Sequence, residues 1–119
     1  MAYDRMDLSG WDPRTLEIAE KYGLSTFRLD SWMRTYSDPR NVELEYLRHT
    51  GQKVFLVSLD QRDPNSSGYG TKTAIETTKK AKKIFELFLE LDNTQARGRK
   101  EFISDRLENC DLYLDAMRE

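Results

Sequence analysis

Cysteine and histidine occur once each in the 119 residues, as Cys110 and His49. A single cysteine excludes an intrachain disulfide framework. One Cys with one His also falls short of the four ligands that a structural zinc site takes, so no metal or cofactor is expected. Long apolar runs are missing too. The longest, Val54 to Val57, is far below the ~20 residues needed to span a bilayer, and no membrane partner is expected. The opening Met-Ala-Tyr-Asp-Arg-Met-Asp has no apolar stretch of signal-peptide type, which makes a cytoplasmic location the default expectation. Charge of one sign is not in excess: 19 basic against 21 acidic residues give a net of −2. That excludes a strongly basic nucleic-acid coat and a strongly acidic mimic of DNA.

What remains is 38% apolar and 34% charged. The apolar and aromatic content is too high for a disordered chain, and the charge suits a small helical protein with a large wet surface. The length allows one domain, or one domain with an appendage. The expected class is mostly α with a minor β component: an N-terminal helix pair, one short β-hairpin and a C-terminal antiparallel helical hairpin. The expected division is 1–60, a loop at 61–70, and 71–119.

Residues 1–12 read as irregular, anchored by Trp11. Asp12-Pro13 opens a helix, with Asp as N-cap and Pro at the first helical position. Leu16, Ile18, Ala19 and Tyr22 give it an apolar face, and Gly23 ends it as a left-handed cap. Ser25 caps a second helix, through about Tyr36, which turns Leu29 and Trp32 inward. Ser37-Asp38-Pro39 breaks it. Residues 41–59 admit two readings. As a helix, Asp38-Pro39 opens it and Gly51 closes it. As strands, Val42, Leu44 and Tyr46 alternate with polar residues, His49 to Gln52 turn the chain, and Lys53–Leu59 returns. Val54-Phe55-Leu56-Val57 is β-branched and apolar, and a strand needs a partner for its backbone groups. The hairpin is therefore the reading adopted. The alternative is a helix over 39–49, with the strand pairing across a dimer.

Residues 60–70 are a loop by composition. Thr71 or Thr73 opens a long helix to about Leu91. Asp92-Asn93-Thr94 turns the chain, and a last helix runs to about Met117. Its stripe is Ile103, Leu107, Cys110, Leu114 and Met117, spaced 4, 3, 4 and 3, an amphipathic pattern. The Gly-rich segment Ser66–Thr73 lacks the Walker A spacing and reads as a connector.

The stretch from Thr15 to Trp32 resembles a helix-turn-helix DNA-binding unit. Ala19 is the small residue at the helix crossing, and Gly23 stands in the turn four residues later. Leu24-Ser25 follow, and Leu29 and Trp32 take the two inner positions of the second helix. With the hairpin after it, the unit would resemble the winged version. The resemblance implies contact with double-stranded DNA through Ser25, Thr26, Phe27, Arg28, Ser31 and Arg34, with the two arginines reaching phosphates or guanine. Lys79, Lys80 and Lys83, in the one strongly basic segment (72–83), are candidates for further phosphate contacts. No catalytic residue is expected. Cys110 lies on an inner stripe, and His49, Ser58 and Asp60 do not form a triad by sequence. The chain is read as no enzyme.

Ile84 to Leu91 is apolar nearly all round, and one partner helix cannot cover it. Ile84, Phe85, Leu87, Phe88, Phe102 and Tyr113 therefore become candidates for self-association. The first functional reading is a small DNA-binding protein, a transcription regulator or a phage-type small-terminase-like packaging subunit, that self-associates through its C-terminal hairpin. The alternative is a protein-interaction module, such as a virus-encoded inhibitor or adaptor. The motif favours the first reading. The near-neutral charge, −1 over residues 1–36, favours the second.

Overall fold

A computed structural model describes Leu8, residues 10–92 and residues 97–117, the side chain of Arg97 excepted. Expectations for residues 1–7 and for the turn at Asn93-Thr94 lie outside the described residues. Those residues form five helices: α1 (Pro13–Tyr22), α2 (Thr26–Thr35), α3 (Pro39–Arg62), α4 (Thr71–Leu91) and α5 (Arg97–Met117). The chain divides into two compact units, Met1–Leu47 and Arg48–Glu119. The division falls among the residues of α3, whereas the sequence suggested the 61–70 loop.

The expected β-hairpin is replaced by helix. No strand occurs among the described residues, and the whole of 41–59 lies in α3. The period-2 pattern over Val42–Tyr46 was coincidental, because Val42, Glu43, Leu44, Glu45, Tyr46 and Leu47 are all buried. Farther along, Val54 and Phe55 are inside while Leu56 and Val57 are about half exposed, at 52% and 50%. That is helical spacing, since a strand would alternate. Asp38-Pro39 opens the helix as the alternative reading had it, but Gly51 does not close it. A Cβ at Gly51 would lie 2.5 Å from Cε1 of Phe85. The glycine is there to let α4 approach. His49, expected in a turn, is a half-buried residue of α3.

In the first unit, Trp11 is buried against Tyr46, with ring centroids 5.4 Å apart. Glu43, fully buried, ties α3 to the start of α1. Its carboxylate accepts the Asp12 N–H at 2.9 Å and an Arg40 guanidinium N–H at 2.8 Å.

The second unit is a three-helix arrangement. Gly51 faces Phe85, and Gly70 N–H donates to the Gln61 carbonyl at 2.8 Å, so α4 runs back along α3. Lys82 pairs with Asp111 at 2.7 Å and Arg99 lies over Phe88, so α5 runs antiparallel to α4, as expected of the hairpin. Ile103, Cys110 and Leu114 of the expected stripe are buried, with Leu107 and Met117 half-buried.

α3 also changes the reading of the C-terminal hairpin. Ile84, Phe85, Leu87 and Phe88 are 0–6% exposed within the chain itself. α3, read from sequence as strand, supplies part of the cover, with Gly51 and Phe55 against Phe85. Each fully buried Phe contributes about 1.5–3 kcal/mol this way. Phe102 and Tyr113 are half-buried beneath arginines: Arg106 lies 4.5 Å from the Phe102 centroid, and Arg62 lies 3.3 Å from that of Tyr113. Those four side chains of α4, from which self-association was argued, are covered inside one chain, while Leu112 of α5 stays 58% exposed.

Candidate nucleic-acid interface

Asp12 and Pro13 begin α1 as the sequence requires. The Asp12 side chain accepts the Arg14 N–H at 2.9 Å, and the Arg14 guanidinium also bonds it. These hydrogen bonds with Arg14, foremost its side chain, hold the Asp12 carboxyl down at about 2. Thr15 and Ala19 form the buried side of α1.

Gly23 then turns the chain. Its N–H donates to the Ala19 carbonyl at 2.8 Å, closing α1. Its φ of 85° and ψ of 168° lie in a region that glycine alone adopts readily, extended in ψ rather than left-handed helical. The Gly23 carbonyl accepts the Tyr46 hydroxyl at 2.8 Å, which anchors the turn to α3 within the same unit. Two residues on, the Ser25 hydroxyl accepts the Arg28 N–H at 3.3 Å and caps α2.

α2 sorts its residues as a helix packed on one side. Leu29 is completely buried, and Trp32, Met33 and Tyr36 are half-buried. Phe27, Arg28, Ser31 and Arg34 are exposed, Phe27 at 83%. Thr26 is half-buried, and the Ser25 hydroxyl is engaged by its cap. Asp30 pairs with Arg34 at 3.7 Å across one turn, both side chains well exposed. Such an exposed pair is worth only about 0.3–0.5 kcal/mol.

Lys79, Lys80 and Lys83 are exposed on α4 and belong to the other compact unit. The Gly-rich connector folds back on α3, with the Ser66 hydroxyl donating to Asp60 at 2.6 Å. Gly70, at the start of α4, offers no side-chain cap.

Other chemistry-bearing groups are engaged in packing. Burial raises the Cys110 thiol to about 11, and Asp111 beside it adds to the rise. The Ser58 hydroxyl donates to the Phe55 carbonyl at 2.6 Å. A cavity of about 250 Å³ in the first unit is lined by Trp11, Met33, Tyr36, Ser37, Pro39 and Val42, a mostly apolar set. No cluster of three or more metal-ligating side chains occurs among the described residues, and no helix there is long and apolar enough to cross a membrane.

Sequence reasoning missed the stacked arginines. Arg62 on Tyr113 and Arg106 on Phe102 and Phe55 join α3 to α5. Arg62 and Tyr113 are 51 positions apart, and nothing local in either segment signals the pairing. Comparison with protein-family models, with curated proteins and with solved structures gives no match for this chain.

Proposed function

We propose that this chain is a small non-enzymatic DNA-binding protein in which α2 enters the major groove of a duplex. One observation carries the reading: two ten-residue helices joined through a positive-φ glycine, the second capped by Ser25 and presenting Phe27, Arg28, Ser31 and Arg34 to solvent. A helix admitted to the major groove can reach base edges with its outward residues. Arg28 and Arg34 supply the cations that phosphates or guanine require. The exposed lysines of α4 are a separate surface that takes phosphates in its own right. Regulation of transcription and packaging of a genome both need such a module.

The test is duplex binding as a function of salt. Phosphate contacts release counterions, so affinity must fall as salt rises. A second reading, docking on a protein partner, is favoured by the first unit's charge of six basic against nine acidic residues. Binding to a duplex that is absent at low salt would select it.

A further inference from the structure

The cavity of about 250 Å³ in the first unit is walled by separate segments of the chain. Trp11 precedes α1, Met33 and Tyr36 stand at the end of α2, and Ser37, Pro39 and Val42 run from the joint into α3. Trp11 and Val42 are buried while Ser37 and Pro39 are exposed, so the cavity has a closed floor and an open mouth. Close-packed protein leaves few voids larger than a water molecule. An apolar cavity of about 150 Å³ takes up benzene, so this one has room for an aromatic ring with a small substituent.

The polar groups say what that substituent is. Only 4% of Trp11 is exposed, yet its indole N–H has no hydrogen-bond partner among the described residues. A buried Trp N–H usually finds one. The ring is already held by Tyr46, with centroids 5.4 Å apart, which makes it a preformed wall. Tyr36 and Ser37 add hydroxyls that donate or accept. No charged side chain is among the lining residues, so a charged ligand would be desolvated there without a counter-charge.

We propose that this cavity binds an uncharged molecule with one aromatic ring and one carbonyl or hydroxyl oxygen. The ring packs on Trp11, Met33 and Val42, and the oxygen accepts the Trp11 indole N–H. The site is independent of the DNA-binding reading, because neither its residues nor its test involve nucleic acid.

Benzamide is titrated into the intact chain, and the two indole N–H resonances are followed by NMR. Trp32, the other tryptophan, does not line the cavity and serves as the internal control. The Trp11 resonance moves along a saturable curve while that of Trp32 stays in place. Benzoate, the charged molecule of the same shape, binds at least about tenfold more weakly, the cost of burying a carboxylate without a partner. Ser37→Trp occludes the mouth from an exposed position, keeps the melting temperature and lowers benzamide affinity about tenfold. Trp11→Phe keeps a ring, removes the N–H and costs about threefold to tenfold in affinity, one hydrogen bond. A response that does not saturate, an equal shift of both indoles, or full affinity in a folded Ser37→Trp overturns the site. Benzoate binding as tightly as benzamide overturns the uncharged class of ligand, and full affinity in Trp11→Phe overturns the hydrogen bond.

Discussion

The fully buried carboxylate of Glu43 accepts the backbone N–H of Asp12 at 2.9 Å, and so fixes where α1 begins from a position 31 residues away on α3. Arg40 neutralises the same carboxylate from one turn earlier on α3. Glu43→Ala leaves that N–H and the Arg40 guanidinium without their acceptor. We predict a loss of about 2–3 kcal/mol in urea unfolding, the scale of a hydrogen bond to a charged group with its desolvation. An unchanged midpoint would show that α1 is positioned by its apolar face alone.

Gly51→Ala should destabilise the second unit, although alanine favours helix by about 1 kcal/mol. The added Cβ would sit 2.5 Å from the ring of Phe85, which is itself completely buried. Overpacking of this kind costs about 1–3 kcal/mol. A rise in melting temperature would mean that α3 and α4 have room to separate.

The glycines show why the sequence was legible at one end of the chain and misleading in the middle. Around α1 and α2 the signals are local: Asp12-Pro13 and Ser25 start helices, Gly23 stops one, and the structure follows them. Gly51 carries the same local signal, but its role is a long-range approach by Phe85. Glu43 and Glu45 similarly looked like the polar edge of a strand, while their burial depends on tertiary partners. Once α3 was read as a hairpin, α4 lacked its second neighbour, and its buried phenylalanines looked like an interface. On α2, helical period foretold the inward Leu29, while Arg28, Ser31 and Arg34 were singled out through the resemblance and are exposed. That the Ser25 hydroxyl would be taken up as a cap also follows from the sequence. The arginine–aromatic stacks do not, because they join segments about fifty residues apart.

Gly23→Ala tests the turn without a steric conflict, since a Cβ there would meet nothing within 4 Å. Its cost is conformational, about 1–3 kcal/mol for a non-glycine residue held at φ 85° and ψ 168°. Tyr46→Phe, which removes the hydroxyl bonded to the Gly23 carbonyl, should cost about 1 kcal/mol. Calorimetry of both variants checks the pair. A neutral Gly23→Ala would show that the turn relaxes to another conformation.

Acid should loosen α1 late. The Arg14 hydrogen bonds lower the Asp12 carboxyl to about 2, from an ordinary value of 3.8. A carboxyl lowered on folding stabilises the folded state above its unfolded value, and that contribution is lost as pH falls from about 3.8 through about 2. In Asp12→Asn this part of the acid dependence should vanish. Carboxyl resonances followed by NMR should place the Asp12 midpoint below those of exposed aspartates, and an ordinary midpoint would rule out the cap–guanidinium bonds in solution.

The most direct test of the DNA-binding account is the slope of log affinity against log salt for a selected duplex, compared between the intact chain and Arg28→Ala/Arg34→Ala. Each phosphate contact contributes about 0.9 to that slope in B-DNA. The account predicts steeply salt-dependent binding, with the slope reduced by about 1–2 and the affinity lowered in the double variant. A slope equal in the two proteins, or binding indifferent to salt, would contradict it.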